Sequence, residues 1–185
     1  MNEQYATMAE IEAGLAEAGP SPLDNGVLEM IVSRPEEERR EVLEQALLDP
    51  DEGLVGDNWR ARGSRHTEDG SANPDMQITM MNSRIIEQLA GERGRWPLAG
   101  DQLFVDIDVS PENLAPGQQF TIGEALLEIT AVPHTGCAKF TGRYGSDAIR
   151  FVNSPEGRAA RRRGVYARVI KAGLIKTGDK IMKQG

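Results

Sequence analysis

The stretch ALLEITAVPHTGCAKFTGRY, residues 125–144, is the starting point for interpreting this chain of 185 residues. Its first eight residues, 125–132, have the apolar and β-branched composition of a strand. Pro133 and Gly136 then interrupt regular structure and predict a turn. Cys137 follows, so we expect its thiol on a loop at the end of a strand, where a rigid scaffold often displays binding and reactive groups.

Cys137 is the single cysteine of the chain, and His134, Lys139 and Arg143 lie close to it in sequence. Cations near a thiol favour its thiolate form, which is the form that coordinates metals and carries sulfur. The pattern therefore predicts a thiol suited to metal binding or sulfur transfer. The alternative is a buried structural cysteine, because free cysteine is among the most buried residue types.

Short strand patterns separated by Gly, Pro and Asp continue on both sides of this stretch and predict a mostly β protein, a barrel or sandwich with peripheral helices. Further strands are expected at 27–32, 75–81, 103–107, 119–122 and 165–170, and a terminal hairpin at 173–183. Helices are expected at 5–18, 83–90 and 146–153, and from 155 onwards. The segment 36–48 has helical propensity, with a strand as the alternative for its second half.

Length and composition indicate one globular barrel domain, residues 23–185, preceded by a helical appendage at 1–22. No apolar run approaches the roughly 20 residues that cross a bilayer. The N-terminus lacks the basic and apolar pattern of a secretory signal. One cysteine cannot form an internal disulfide, so we expect a cytoplasmic protein.

Charge is distributed unevenly along the chain. The net charge of −8 argues against nonspecific nucleic-acid or membrane binding. Residues 1–132 carry 9 Lys and Arg against 26 Asp and Glu, a net of −17, whereas residues 133–185 carry 12 against 3, a net of +9. The basic portion either mixes with the acidic portion into an ordinary surface or lines a pocket for an anionic ligand.

The stretch GLVGDNWRARG, residues 53–63, is a second candidate for binding. Asn58, Arg60 and Arg62 could hydrogen-bond a phosphate or a heterocycle, since arginine presents a planar fork to such groups. A solvated loop is the alternative. His66, in the polar loop that follows, is expected to be an ordinary surface residue.

Four arginines lie between residues 158 and 163. Arg158, Arg161 and Arg162 are expected on the solvated face of a helix. Arg163 differs, because Gly164 and a strand follow it, and it is the member of this group that we expect near an anion.

Residues 23–183 resemble the MOSC domain, named for the C-terminal domain of molybdenum cofactor sulfurases. Four segments carry the likeness in order: 53–57 (GLVGD), 100–103 (GDQL), 122–140 with Cys137, Lys139 and Phe140, and 163–179 with its RGVYARV strand. The match is to a stand-alone bacterial type. Two departures are visible: GDQ stands where the family has Gly-Glu-Asn, and Gly136 precedes the cysteine where the family often has proline.

The resemblance implies a closed or nearly closed β-barrel of the kind also found in pyruvate kinase, and the molybdenum cofactor, an anionic pterin, as ligand. Cys137 would be the molybdenum ligand or the carrier of persulfide sulfur. The cofactor's chemistry would be sulfur transfer or reduction of N-hydroxylated compounds. The candidate cofactor contacts are Asn58, Arg60, Asp101, His134, Lys139, Arg143, Arg163 and Arg168.

Two other functions stay open: a noncatalytic sulfur-relay module that acts with a redox or sulfur-donor partner enzyme, and a barrel that binds another small anion. Pyridoxal phosphate, which is associated with the larger sulfurases, is not expected here, because no lysine has a recognisable Schiff-base setting. The N-terminal helix, with its modest apolar stripe, could serve a homodimer or pack against its own barrel.

Overall fold

The computed structural model describes residues 5–185. Its strands are β1 (Gly26–Ser33), β2 (Glu41–Leu43), β3 (Gln45–Asp49), β4 (Gly53–Leu54), β5 (Ile78–Asn82), β6 (Leu103–Asp106), β7 (Gln119–Ile122), β8 (Ala125–Ile129), β9 (Val165–Lys171), β10 (Gly173–Lys176) and β11 (Lys180–Lys183). Its α-helices are α1 (Met8–Ala18), α2 (Trp59–Arg62), α3 (Ser83–Ala90), α4 (Ala138–Asn153) and α5 (Pro155–Ala159). Two 3₁₀ helices cover Pro74–Met76 and Arg93–Ala99.

Seven strands form a closed barrel in the order β11-β7-β8-β9-β5-β6-β1, and the pairing of β1 with β11 closes the ring. Every neighbouring pair in the ring is antiparallel except β5 and β6. Closure leaves no free strand edge within the ring. Outside it, β2 extends from β1, and β10, β3 and β4 form a separate three-stranded sheet.

The barrel interior is filled by the inward side chains of these strands. In β8 burial alternates strictly, with Ala125, Leu127 and Ile129 buried, and in β7 the buried residues are Phe120 and Ile122. This period of two is what a strand with one face in the core requires.

A second apolar cluster lies between the outside of the barrel and the helices. Ile11 of α1, Met81 of β5, Phe104 of β6, and Phe140 and Tyr144 of α4 are all buried in it. The helices therefore cover one side of the barrel. The aromatic residues at the start of α4 fix the position of the chain that leads into Cys137.

Most predicted elements are confirmed. The N-terminal caps of two helices, α3 and α1, show how the local sequence determines where these helices begin. Asn82 accepts hydrogen bonds from the backbone N–H of Arg84 and Ile85 and so caps α3. Helix α1 begins after Thr7, whose hydroxyl accepts from the Glu10 N–H in a capping box. Residues 1–4 of the predicted helical appendage lie outside the described residues. The boundary between that appendage and the barrel domain, after residue 22, stays a prediction.

Three predictions were wrong in detail. The helical propensity of segment 36–48 is not realised, and the alternative of a strand in its second half is confirmed by β2 and β3; in β3 Ala46 and Leu48 are buried, whereas Gln45 and Leu47 are exposed. The terminal segment is not a hairpin, because β10 pairs with β3 and β11 pairs with β7 and β1. Helix α4 begins at Ala138, eight residues earlier than expected, with a break at Gly145, where φ is +87°.

Candidate functional site

Cys137 is exposed and lies directly before α4. Its carbonyl oxygen accepts the N–H of Thr141 at 3.1 Å. The preceding residue is held by Asn153, whose side chain both accepts from the Gly136 N–H at 2.9 Å and donates to the Gly136 carbonyl at 3.1 Å. The thiol is therefore on a fixed backbone and open to solvent, and the alternative of a buried structural cysteine is wrong.

An arginine-rich cavity of about 210 Å³ lies near the same loop. Its lining includes Arg34, Arg62, Gly100, His134 and Tyr166. His134 is three residues before Cys137, and three extended residues span at most about 11 Å. The cysteine backbone is thus close to the cavity, although Cys137 does not line it.

Arg34 is held rigidly at the cavity. Its Nε and Nη2 donate to the two carboxylate oxygens of Asp57, each at 2.8 Å, and its Nη1 donates to the Gly100 carbonyl at 2.9 Å. Asp57 also accepts from the backbone N–H of Arg34 and of Trp59. A bidentate pair of this kind fixes both the charge and the plane of the guanidinium.

A buried ion pair lies behind the cavity. Nη1 of Arg163 donates to Oδ2 of Asp101 at 2.7 Å, and Nη2 donates to the Ala99 carbonyl at 2.9 Å. The Asp101 side chain is fully buried, and Arg163 is 7% exposed. Burial raises the pKa of Asp101 above its usual value, and Arg163 opposes that shift.

His134 completes this group. Its Nδ1 lies 3.7 Å from Oδ1 of Asp101, which is too long for a hydrogen bond. Burial, followed by the charges of Arg163 and Arg34, lowers the pKa of His134 well below its usual value, so the ring is neutral near pH 7. The ring packs against Tyr166 with centroids 4.5 Å apart.

Several buried polar atoms in this region have no hydrogen-bond partner within residues 5–185. They are Oδ1 of Asn58, Oδ1 of Asp101, Nδ1 of His134, Nε of Arg163 and Nε of Arg40. Buried polar groups are normally satisfied, and an exception indicates an absent ligand or water. Of these residues His134 lines the cavity, and the others lie behind residues that line it, so the cavity is the candidate binding site.

The cations nearest to Cys137 in sequence face an acidic segment. Nζ of Lys139 lies 2.8 Å from Glu37 and 2.7 Å from Glu38, and Arg143 also donates to Glu38. Hydrogen bonds from Lys139 and Arg143 lower the pKa of Glu38 to about 2. Glu38 adopts a φ of +62°, which is uncommon for a residue with a side chain.

The structure gathers four of the predicted contacts at the cavity and disperses the others. His134 lines the cavity, and Asp101, Arg163 and Asn58 lie behind it, Asn58 through its N–H bond to the Arg34 carbonyl. Arg60 is exposed and pairs with Glu52, and Arg168 is exposed and pairs with Glu128. Lys139 and Arg143 are engaged by the acidic segment.

The sequence indicated Arg62 as a possible contact to a phosphate or heterocycle, and Arg62 lines the cavity. Arg34 and Tyr166 were not selected, and Arg34 appears only as a lone arginine before Pro35. The signal that could have indicated it is Asp57, a carboxylate in that same stretch that needs a cation if it is buried.

The departure at residues 100–102 also has an explanation. The Gln102 side chain is buried inside the barrel wall, where Oε1 accepts from the Thr79 N–H at 2.8 Å and from its hydroxyl at 3.1 Å. Gln102 therefore joins β5 to the chain entering β6. It does not line the arginine-rich cavity.

The other arginines and His66 are placed as follows. His66 and Arg158 are exposed, as expected. The expectation of solvated side chains is wrong for Arg161 and Arg162, which are half-buried: Arg161 donates to the Leu114 carbonyl, and Arg162 lies 4.1 Å over the Phe151 ring.

Within residues 5–185, no group of three or more His, Cys, Asp or Glu could hold a metal ion, and no helix is long and apolar enough to cross a membrane.

Comparisons with known proteins agree with this architecture. The family model for the MOSC domain matches residues 64–182. Among solved structures, YuaD from Bacillus subtilis is similar with a TM-score of 0.58 at 16% identity, over 85% of this chain and 94% of that chain. YiiM from Escherichia coli is similar with a TM-score of 0.55 at 17% identity, over 86% and 70% of the two chains. YiiM from Geobacillus stearothermophilus has a TM-score of 0.52 at 15% identity, over 89% and 75%. No curated protein matches the chain.

Proposed function

Since the chain belongs to the MOSC domain family, as the match over residues 64–182 shows, we propose that it binds the molybdenum cofactor at the arginine-rich cavity. Cys137 would provide the protein's sulfur ligand to the metal. The observation that carries the proposal is a cavity lined by the cations Arg34 and Arg62 together with His134, whose buried Nδ1 has no hydrogen-bond partner within residues 5–185.

The residues present fit an anionic pterin. The guanidinium groups of Arg34 and Arg62 suit a phosphate, because arginine donates paired hydrogen bonds to such groups. The ring of His134 lines the cavity with its Nδ1 unpartnered, and a neutral imidazole can exchange a hydrogen bond with a heterocycle. A cavity of about 210 Å³ is smaller than that of a typical drug-sized ligand, so it would take the anionic part of the cofactor rather than the whole.

Cys137 suits the metal by its chemistry and its access. A thiolate is a soft ligand and so matches a metal that is already held by sulfur. The bound cofactor would supply oxygen-atom or sulfur transfer, including reduction of N-hydroxylated compounds. The chain's own residues would bind and orient it: Arg34 is positioned by Asp57, and His134 stays neutral beside Asp101.

The experiment is a measurement of pterin and molybdenum in protein purified from cells that make the cofactor. Arg62→Gln and Arg60→Gln form a matched pair, because both residues lie on α2 but only Arg62 lines the cavity. We expect pterin content to fall in R62Q by about tenfold, the loss of one charge-assisted contact, and to stay at the wild-type level in R60Q. Equal contents in all three proteins would contradict the proposal.

Cys137→Ser tests the role of the thiol separately. The residue is exposed, so the variant should fold normally. We expect the ratio of molybdenum to pterin to fall in C137S. An unchanged ratio would remove Cys137 as a metal ligand while leaving the cavity assignment intact.

A second candidate function is sulfur relay. It is favoured by the exposure of Cys137 and by its position outside the residues that line the cavity. An exposed thiolate can attack the outer sulfur of a donor protein's persulfide, so that the persulfide forms on Cys137 and the donor cysteine leaves as a thiolate; an acceptor thiolate takes the sulfur from Cys137 in the same way. Mass spectrometry that finds a persulfide on Cys137 in protein without pterin would support this function, and bound pterin without any persulfide would argue against it.

A further inference from the structure

A second cavity, of about 460 Å³, lies beside the first and has no part in the proposed function. It is bounded by the chain that follows β8, residues 130–135, and by the turn that joins α5 to β9. His134 lines both cavities. The volume falls within the usual range for small-molecule sites.

The lining of this second cavity combines apolar walls with two cations. Ala131, Val132, Pro133 and Val165 provide apolar surface, and the charged lining residues are Arg158 and Arg161. No carboxylate lines the cavity. Within residues 5–185, neither arginine forms a salt bridge, in contrast to Arg34 at the first cavity. Glu112 is the acidic group that acts on Arg161, and it does so only at a distance.

The turn gives consecutive arginines different positions. Nη1 of Arg161 donates to the Leu114 carbonyl at 2.6 Å and, weakly, to the Val109 carbonyl at 3.4 Å. These bonds leave its Nη2 and Nε for another acceptor. Arg162 packs over the Phe151 ring, and Arg163 donates a hydrogen bond to Asp101.

The backbone of this turn adopts uncommon positive φ values at Arg161 and Gly164. Arg161 adopts a φ of +50°, and the Gly164 N–H donates to the Arg161 carbonyl at 2.8 Å. Gly164 itself has a φ of +116°, and a Cβ there would lie 2.2 Å from the Met80 carbonyl oxygen. Uncommon backbone conformations of this kind cost free energy and occur often at ligand sites.

We propose that this second cavity binds a small organic carboxylate. Arg158 and Arg161 hold the carboxylate group, since a guanidinium matches its two oxygens. Val132 and Val165 contact the apolar body of the ligand. The apolar walls distinguish this ligand from an inorganic anion, and the unpaired guanidinium groups distinguish it from a neutral molecule.

The test uses sodium benzoate as the probe, with the chemical shifts of backbone amides followed by NMR at constant ionic strength. Benzyl alcohol supplies the same ring without the charge, and inorganic phosphate supplies charge without the ring. We expect saturable shifts at residues 131, 132, 134, 135 and 158–165 with benzoate, and binding at least about tenfold weaker with either comparator, because each lacks one of the two contacts.

Two variants locate the site. Arg158→Gln removes one cation, and Ala159→Leu fills the cavity while leaving both arginines in place; both positions are exposed, so both variants should fold. Arg150→Gln is the control, because Arg150 is exposed and pairs with Asp147 on α4. We expect benzoate binding to weaken about tenfold in R158Q and A159L and to stay unchanged in R150Q. Equal binding of benzyl alcohol or phosphate, or benzoate binding that R158Q and A159L leave unchanged, would overturn the proposal. Cofactor content plays no part in this test, so its result is independent of the proposed function.

Discussion

Nζ of Lys139 lies 2.7 Å from a carboxylate oxygen of Glu38, so the cation nearest to Cys137 along the helix is bound to the segment that precedes β2. The two residues are 101 positions apart in sequence. Glu37 and Glu38 together face Lys139 and Arg143. The acidic segment therefore offsets the positive charge that the sequence places around the thiol.

The first prediction concerns the reactivity of Cys137. In the double variant Glu37→Gln, Glu38→Gln, Lys139 and Arg143 are no longer neutralised, and a larger positive potential favours the thiolate. We expect the rate of alkylation by iodoacetamide at pH 7 to rise a few-fold at low salt, with a smaller increase at 1 M salt, because ions screen surface charges. Glu36→Gln is the control, since Glu36 pairs only weakly with Arg39. An equal rise in E36Q would contradict the assignment.

The second prediction is a titration of Glu38. Hydrogen bonds from Lys139 and Arg143 hold its pKa at about 2, below the usual 4.5. A lowered carboxyl pKa means that the contact stabilises the folded segment above pH 4.5 and is lost as pH falls from 4.5 towards 2. The side-chain carboxyl ¹³C shift of Glu38 should therefore titrate near pH 2. It should move back towards 4.5 in Lys139→Gln, and a wild-type midpoint near 4.5 would show that the contact does not form in solution.

The third prediction compares a buried and an exposed ion pair. Arg163→Gln leaves the Asp101 carboxylate buried without its cation, and we expect the free energy of unfolding to fall by about 3–5 kcal/mol. Arg168→Gln breaks an exposed pair and should cost no more than about 1 kcal/mol. Urea denaturation measures both. Similar losses in the two variants would show that Asp101 is not buried as described.

The pH dependence of the Arg163→Gln variant has a defined sign. The pKa of Asp101 is raised in the folded protein by burial, so the folded state binds a proton more readily than the unfolded state does. Stability therefore falls as pH rises from the unfolded value towards the folded value. Removal of Arg163 raises the folded pKa further, and the decline in stability should extend to higher pH.

The fourth prediction uses two glycines. Gly164→Ala places a Cβ 2.2 Å from the Met80 carbonyl oxygen in a backbone with a φ of +116°. Gly178→Ala has a similar φ of +94° but open space around it. We expect about 1–2 kcal/mol of destabilisation in G178A from the backbone conformation alone. In G164A we expect about 3 kcal/mol or more, because the clash is added. Equal unfolding free energies in the two variants would contradict the close approach.

The strands were predictable where burial on one face imposed a period of two, as in β8 with Ala125, Leu127 and Ile129. For the segment 36–48 a strand was predicted only as an alternative to a helix, because its Glu, Arg and Leu content favours a helix, whereas pairing with β1 and β10 imposes strands. Propensity is a local property, and here the tertiary pairing was stronger than it. At the break of α4, a Cβ on Gly145 would lie 2.8 Å from the Tyr5 side chain, a contact that only the fold creates.

In the candidate site, too, some residues were recognisable from the sequence, whereas their partners depend on the fold. Arg163 was recognisable because Gly164 and a strand follow it, His134 because it lies three residues before Cys137, and Asp101 through the resemblance to the MOSC domain. The partners of these residues were not recognisable. Arg34 depends on Asp57, 23 residues away, and Lys139 depends on Glu38, and only the fold brings each pair together. Lys139 and Arg143 lie near Cys137 in sequence, but this proximity did not indicate that their charges pair with Glu37 and Glu38.

The closure of the barrel by β1 and β11 has a consequence for biosynthesis. Gly26 pairs with Ile181, so the ring cannot close until Ile181 has left the ribosome. Until then, β1 and β7 each lack a neighbour, and unpaired strand edges promote aggregation. Contacts between such distant residues also slow folding. The barrel therefore stays open while residues 26–181 are synthesised, and the edges of β1 and β7 that β11 will cover are exposed during that time.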